Sequence, residues 1–216
     1  MSPLFADRAA AGRALAPLLM AYAGRDDVVV LALPRGGVPV AWEVAQALGA
    51  PLDVLVVSKL RVPHRPDRSM GAIAGAGEVH VDPHVVQEHG VSPQQLDEAI
   101  AHESLELIRR RALYCGRSPP VPTEGCTVIV VDEGIATGAS MQVALKALRS
   151  AKPDWVVVAV PVAPPEAQDR IGTAADDFVS VASPQDFDEL GAYYGDYSPV
   201  RDDEVCAVMA RAASRP

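Results

Sequence analysis

The stretch TVIVVDEGIATGASMQVALKALRS, residues 127–150, combines a strand, a turn and a helix. Its first five residues are all β-branched, which is typical of a strand buried on both faces of a sheet. Asp132 and Glu133 follow, and then comes the small-residue turn GIATGAS, residues 134–140. This order of elements predicts an α/β fold with a ligand site at the end of the strand.

The small-residue turn is suited to bind an anion. Its glycines and small side chains let backbone amides approach a ligand, and the helix that follows adds the positive end of its dipole. The carboxylates of Asp132 and Glu133 would repel a phosphate, so we expect them to serve sugar hydroxyls or a nearby Mg²⁺. A phosphorylated sugar meets both demands. The turn lacks the lysine of a Walker A loop and the glycine spacing of a dinucleotide fingerprint.

Residues 128–140 resemble the binding signature of the type I phosphoribosyltransferases, in which two acids and a small-residue turn with Thr-Gly follow a strand. The resemblance implies that Asp132 and Glu133 hold the ribose hydroxyls of phosphoribosyl pyrophosphate (PRPP). It also implies that the turn holds the 5-phosphate through Gly134, Ile135, Ala136, Thr137, Gly138, Ala139 and Ser140. The alternative is an ordinary glycine-rich turn without a ligand.

A second strand, turn and helix occupy residues 28–48. The turn is Pro-Arg-Gly-Gly, residues 34–37, after the apolar run VVVLAL. Arg35 offers a fixed fork of donors to phosphate, and Gly36 and Gly37 expose backbone amides. Type I phosphoribosyltransferases have their pyrophosphate loop at this point, so the resemblance implies a pyrophosphate site. A plain strand-to-helix turn is the alternative.

Residues 51–59, PLDVLVVSK, predict a third buried strand that ends at Lys59. Because ligand sites in open parallel sheets collect at the carboxyl ends of the strands, we expect Lys59 to join Arg35 at the pyrophosphate. A solvated lysine at a strand end is the alternative.

Residues 60–80 predict a basic lid punctuated by proline and glycine, with residues 70–74 and 79–81 as the arms of a hairpin. In the resembled family a flexible hairpin at this point closes over the active site. Arg65 of the lid is expected to join the pyrophosphate site. A mobile surface loop without a ligand is the alternative.

The helix predicted for residues 92–115 begins with a Ser92 N-cap and a proline at its first position. Its buried face is predicted to contain Leu96, Ile100, Leu107 and Ile108, and residues 109–111, three arginines, are interpreted as a solvated helix end. Further strands are predicted at residues 155–162 and 178–182, and a helix interrupted by Pro17 at residues 5–23.

These elements predict one α/β domain with an open, mainly parallel sheet flanked by helices. Its parts would be a core of about residues 28–183, the lid of about 60–80 and a hood of about 184–216. Aromatic residues are only 5% of the chain, yet the hood holds Phe187, Tyr193, Tyr194 and Tyr197. The resemblance implies that Phe187 and Tyr193 stack on a base. The alternative is that these rings pack the C-terminal helix onto the sheet.

Composition excludes several other classes. A net charge of −9 argues against a nucleic-acid surface, and no apolar run is long enough to span a membrane. The N-terminus lacks a signal-peptide pattern, and the three cysteines show no metal-ligand spacing. We therefore expect a cytoplasmic protein without an all-protein metal site, in which Mg²⁺ binds through PRPP near Asp132 and Glu133.

The resemblance implies an enzyme that transfers the phosphoribosyl group of PRPP to a nitrogenous base or related acceptor, with Asp132, Glu133, Lys59 and Arg35 as its catalytic residues. Ala136 replaces the aspartate of 6-oxopurine enzymes, which disfavours hypoxanthine and guanine. Glu133 replaces the usual aspartate, so its carboxylate lies one methylene further out. A PRPP-sensing regulator and a hydrolase or phosphorylase of a phosphorylated sugar are the alternatives. The acceptor and homo-oligomerisation are left open.

Overall fold

The computed structural model describes residues 3–74, 78–116 and 118–214. Its strands are β1 (Val28–Ala32), β2 (Leu52–Val54), β3 (Val57–Val62), β4 (Arg65–Ala74), β5 (Glu78–Val81), β6 (Thr127–Val131), β7 (Trp155–Val162) and β8 (Asp177–Ala182). Its α-helices are α1 (Arg8–Leu15), α2 (Gly37–Leu48), α3 (Pro83–Glu88), α4 (Pro93–Cys115), α5 (Ala139–Arg149), α6 (Ala167–Ile171) and α7 (Asp202–Ala213). Short 3₁₀ helices occur at Ala16–Tyr22, Gly172–Ala174 and Leu190–Tyr193.

The central sheet is parallel, with the strand order β2-β1-β6-β7-β8. All residues of β1 and β6 are buried, as their apolar sequences predict. Alternate residues face opposite sides: Val28 and Val30 pack with α2, whereas Val29 and Leu31 pack with α5. The open parallel α/β fold predicted from the sequence is thus confirmed. Because Ala32 pairs with Val131, the turns after β1 and β6 open at the same edge.

Strands β3, β4 and β5 form a separate antiparallel sheet, which corrects the prediction of a single strand over residues 51–59. The chain leaves the parallel sheet after Val54, and Lys59 lies within β3, paired with Ala72. Most of the segment predicted as a lid, residues 60–80, therefore belongs to β3, β4 and β5. Leu60 and Val62 alternate along β3 and are both buried in the core. The predicted hairpin arms do pair, Gly71 with Val81, and residues 75–77 lie outside the described residues.

Helix α4 begins at the capping box that the sequence predicts. The backbone N–H of Gln95 donates to Ser92 Oγ at 3.2 Å, and that of Ser92 donates to Gln95 Oε1 at 2.9 Å. The predicted buried face is only partly right, since Leu107 is buried but Ile108 is 61% exposed. Successive residues of a helix point about 100° apart, so Leu107 and Ile108 cannot both lie on the narrow side of α4 that packs against the core.

The interpretation of residues 109–111 as a solvated helix end is wrong for Arg111. Its guanidinium donates to both carboxylate oxygens of Asp53 in β2, at 3.0 and 3.1 Å. The same carboxylate accepts the backbone N–H of Val121 at 3.0 Å. The two side chains are only 14% and 7% exposed, so the pair ties α4 to the edge of the sheet.

Replacing Arg111 with Met should lower the free energy of unfolding by about 3 kcal/mol, because the variant leaves the Asp53 carboxylate buried without its cation. Urea denaturation measures the change. Arg109→Met is the matched control, since that side chain is 66% exposed and its loss should cost less than about 0.5 kcal/mol. Equal losses in the two variants would contradict the structural role of the pair.

The N-terminal segment and the C-terminal tail meet at the end of β7. The backbone N–H groups of Leu4 and Phe5 donate to the Tyr193 carbonyl at 3.0 Å, and that of Gly195 donates to the Phe5 carbonyl at 2.8 Å. Phe5, Tyr193 and Tyr194 are buried together with Val162. As predicted, the N-terminal helix divides near Pro17. Within the described ranges, no helix is long and apolar enough to cross a bilayer.

Candidate functional site

A cavity of about 580 Å³ lies at the edge where β1 and β6 end. Segments far apart in sequence form its walls, and the predicted site residues among them are Arg35, Gly36, Lys59, Asp132, Glu133 and Ser140. The fold thus brings the acids and parts of both turns around one space. A second cavity of similar volume lies beside Asp53 and Arg111, and no predicted site residue lines it.

The turn after β1 lies tightly against the end of β6. A Cβ atom on Gly37 would lie 2.8 Å from the Val131 carbonyl oxygen and 2.9 Å from Asp132 Cα. Glycine at this position therefore allows the predicted pyrophosphate turn and the acids to share one wall. Lys59 reaches the same cavity from the antiparallel sheet rather than from the end of a parallel strand.

In the turn of residues 134–140, the backbone packs closely against the end of β7 before α5 begins. Gly134 has a φ of +158°, and a Cβ there would lie 2.9 Å from the Val162 carbonyl oxygen. The Ile135 N–H donates to that carbonyl at 2.9 Å, so the sheet uses this amide. Thr137, Ala139 and Ser140 are exposed at the start of α5. Within this turn, all of it described by the structure, Ser140 is the residue that lines the cavity.

Asp132 is the acid with the more strongly perturbed environment. Burial, and then the neighbouring Glu133 carboxylate, raise its pKa to about 8. The backbone N–H of Glu133 donates to Asp132 Oδ1 at 2.8 Å and acts in the opposite direction. The surroundings of Asp132 therefore favour its protonated form in the absence of ligand.

Glu133 is held by residues that the sequence did not connect with it. Arg8 Nε donates to Glu133 Oε2 at 2.5 Å, and the Tyr197 hydroxyl donates to Glu133 Oε1 at 2.9 Å. The Tyr194 hydroxyl donates to the Glu133 backbone carbonyl. Both oxygens of the Glu133 carboxylate are thus hydrogen-bonded to side chains that do not line the cavity.

A family model described as "Phosphoribosyl transferase domain" matches residues 5–190. The chain belongs to this family. Its parallel sheet and its two turns at one sheet edge are those of the type I phosphoribosyltransferases. This confirms the resemblance that the motif of residues 128–140 indicates.

Relatives of known sequence and structure cover nearly the whole chain. Two Mycobacterium tuberculosis proteins, from strains H37Rv and CDC 1551, are named "Putative phosphoribosyl transferase" and are 42% identical over 209 residues. These residues are 97% of this chain but 47% of each relative, so the chain spans about half the length of those relatives. The crystal structure of TT1426 from Thermus thermophilus is 41% identical, with a TM-score of 0.80 over 96% of this chain and 98% of that one.

Helices α4 and α7 give this phosphoribosyltransferase domain charged cavity walls that sequence reasoning missed. Arg109 and Arg110 line the cavity, and each donates to the Glu106 carboxylate at 2.8 Å. Arg35 Nη1 lies 3.7 Å from Asp202 Oδ1, and the same oxygen accepts a hydrogen bond from the Tyr114 hydroxyl at 2.9 Å. The arginine run of residues 109–111 was the available signal, but the run alone does not reveal which side of the helix faces the cavity.

Several predicted site residues of this phosphoribosyltransferase domain lie outside the cavity lining: Arg65, Phe187, Tyr193, Gly37 and residues 134–139. Arg65 lies in β4 opposite Val62. Phe187 and Tyr193 stack on each other, with ring centroids 5.5 Å apart, and Tyr193 is only 6% exposed. Their roles at the ligand stay predictions. In the described part of the chain, no group of three or more His, Cys, Asp or Glu side chains could hold a metal ion.

Proposed function

We propose that the chain transfers the phosphoribosyl group of PRPP to a nitrogenous base or related acceptor and releases pyrophosphate. The observation that carries this proposal is the single cavity bordered by Arg35, Lys59 and Asp132 at the edge where β1 and β6 end. Cations suit the pyrophosphate and a carboxylate suits the ribose, so the cavity offers complementary groups to both parts of PRPP.

Each part of PRPP has proposed partners. The hydroxyls of Thr137 and Ser140, with the amides at the start of α5, would hold the 5-phosphate. Asp132 would accept hydrogen bonds from the ribose diol. Arg35 and Lys59, with the amides of the turn at Gly36, would bind the pyrophosphate.

The proposed reaction breaks the bond between ribose C1 and the pyrophosphate oxygen, whose electron pair leaves with pyrophosphate. The acceptor nitrogen then forms the new bond to C1 with its lone pair, and the proton that this nitrogen carried leaves to pyrophosphate or to solvent. Arg35 and Lys59 would stabilise the charge that collects on the leaving group, and Asp132 would face the positive charge that develops at C1. Rate enhancement would thus come from positioning and electrostatics rather than from a covalent intermediate.

Mg²⁺ is the cofactor that the family implies, and the side chains of the cavity would supply only part of its coordination shell. Asp132 provides one carboxylate, whereas PRPP and water would provide the remaining oxygen ligands. When bound with PRPP, the ion would neutralise negative charge on the pyrophosphate. The protein's own part in this arrangement is to hold the Asp132 carboxyl group toward the ligand, and the positive charge of the bound ion would favour its ionised form.

The acceptor is proposed to be other than hypoxanthine or guanine. Ala136 has no side chain that could exchange a proton with a 6-oxopurine, and its carbonyl accepts the Arg170 guanidinium at 3.1 Å. A screen of bases for pyrophosphate release, with PRPP and Mg²⁺ present, identifies the acceptor. A PRPP-sensing regulator would bind PRPP and release no pyrophosphate with any base.

Replacing Lys59 with Met should weaken PRPP binding about tenfold, because the variant removes one charge-assisted contact to the pyrophosphate. Isothermal titration with PRPP and Mg²⁺ measures the affinity. Lys146→Met is the control, since Lys146 is an exposed residue of α5 outside the cavity lining. If the intact protein does not bind PRPP, or if both lysine variants bind it equally, the proposed pyrophosphate site is wrong.

A further inference from the structure

The second acid of the phosphoribosyltransferase signature is held by side chains from both ends of the chain. Arg8, Tyr194 and Tyr197 together form what we call the Glu133 clamp. Arg8 and Tyr197 each bond one oxygen of the carboxylate, and Tyr194 bonds the backbone carbonyl. Neither Arg8 nor Tyr197 lines the cavity, whereas Glu133, which both side chains contact, does.

The clamp residues are themselves held firmly. Arg8 is only 9% exposed, and its Nη1 donates to the Ser198 carbonyl at 2.9 Å. The guanidinium carbon lies 4.3 Å from the Tyr197 ring centroid, and the Tyr194 and Tyr197 rings stack at 5.3 Å. A buried arginine with this set of partners has little freedom to release the carboxylate.

The clamped carboxylate packs directly on the predicted pyrophosphate turn. A Cβ atom built on Gly36 would lie 1.5 Å from Glu133 Oε2, so the carboxylate occupies the place of a side chain at that position. Glu133 therefore packs against the Gly36 backbone on the face where a side chain would project. An aspartate, shorter by one methylene, would carry its carboxylate less far from the backbone toward Arg8.

We infer that Glu133 is a positioning residue for the pyrophosphate turn, held there by Arg8 and Tyr197, and that Asp132 is the acid that recognises the ribose diol. The inference rests on the proposed function and divides the work of the two acids. Glu133 then acts on pyrophosphate affinity through the Gly36 backbone. Asp132, whose side chain accepts only the Glu133 N–H among the described hydrogen bonds, retains acceptor capacity for the sugar hydroxyls.

Two ligand probes separate these roles. The first is the ratio of affinities for ribose 5-phosphate and 2-deoxyribose 5-phosphate, which reports contact with the diol. The second is the affinity for inorganic pyrophosphate with Mg²⁺, which reports the turn. Both are measured by isothermal titration on the intact chain and on Glu133→Gln, Tyr197→Phe and Asp132→Asn.

We expect Glu133→Gln and Tyr197→Phe to weaken pyrophosphate binding about fivefold while the ribose preference stays within about twofold of the intact protein. Asp132→Asn should remove most of the ribose preference. A Glu133→Gln/Tyr197→Phe double variant should bind pyrophosphate about as weakly as the single variant with the lower affinity, since the Tyr197 hydroxyl is inferred to act through the Glu133 carboxylate. A purely structural role would lower thermal stability and leave both ligand measurements unchanged.

Loss of the ribose preference in Glu133→Gln would overturn the inference and leave the proposed function standing. No binding of PRPP or ribose 5-phosphate by the intact chain would overturn both. Tyr197→Phe removes a single oxygen atom and keeps the ring stack, so it carries the test if Glu133→Gln does not fold. In that case, unchanged pyrophosphate affinity in Tyr197→Phe would overturn the inference.

Discussion

Asp132→Asn is expected to weaken PRPP binding about 100-fold while it makes the unliganded protein more stable. The loss of affinity follows because an amide replaces the carboxylate proposed to accept hydrogen bonds from the ribose diol, and charged hydrogen bonds contribute about 1.5–3 kcal/mol each. The gain in stability follows because the wild-type carboxyl group lies where ionisation is unfavourable. Opposite effects of one substitution are typical of a site built for ligand rather than for the fold.

The stability gain should depend on pH with a definite sign. The pKa of Asp132 is about 8 in the folded chain and about 3.9 in an unfolded one, so the folded state binds more protons between these values. Wild-type stability therefore falls relative to the variant as pH rises from about 4 to about 8, and the difference levels off above pH 8. Asp132 is partly exposed, so we expect a difference of about 2 kcal/mol at pH 8 rather than the full value of the shift.

Urea denaturation between pH 5 and pH 9, together with PRPP titration, checks both effects. Asp154→Asn is the matched control, because Asp154 is exposed just before β7, at the end of the sheet away from the cavity. The control should leave PRPP affinity and the pH profile of stability unchanged. Wild-type affinity in Asp132→Asn would show that the carboxylate does not contact the ligand.

Gly36→Ala is expected to lower the free energy of unfolding by about 2 kcal/mol and PRPP affinity by about 30-fold. Gly36 has φ −64° and ψ −32°, which alanine adopts readily, so the backbone is not the obstacle. The obstacle is Glu133 Oε2, which a Cβ would approach to 1.5 Å. The glutamate cannot move aside without breaking its contacts with Arg8 and Tyr197.

The double variant Gly36→Ala/Glu133→Ala tests this explanation, because it removes the carboxylate that the new methyl group would meet. Adding Gly36→Ala to a Glu133→Ala background should cost less than about 0.5 kcal/mol in urea denaturation. Strictly additive losses would contradict the steric origin of the effect. Circular dichroism of each variant before titration confirms that the affinities refer to folded protein.

The elements that formed as predicted depend on residues close together in the chain. The buried strands β1 and β6 follow from apolar runs rich in β-branched residues, and the start of α4 follows from the Ser92 and Gln95 capping box. The two strand-end turns were located correctly for the same reason. Parallel pairing of adjacent strands then brings both turns to one edge, so the general place of the site could be predicted as well.

Predictions failed where a choice depended on distant partners. Residues 51–62 form a largely apolar stretch with no turn signal, yet the structure divides it between β2 and β3, which belong to different sheets. Ile108 was predicted to be buried and is exposed, whereas Arg111 was predicted to be solvated and is largely buried. The reason is that tertiary contacts decide which side of α4 packs on the sheet. The hydrophobic pattern of α4 is too weak to define that side alone.

The sequence by itself determined the fold class, the strand-end turns and the pair of acids, because short-range backbone preferences and burial specify each of them. Only the tertiary structure decided that the two acids have different surroundings. Glu133 meets Arg8 and Tyr197, which lie 125 and 64 residues away, and neither belongs to a local motif. Contacts at such separations depend on the assembled sheet, which brings the two segments to its edge. They direct one carboxylate toward the Gly36 turn, while the other keeps acceptor capacity for a ligand.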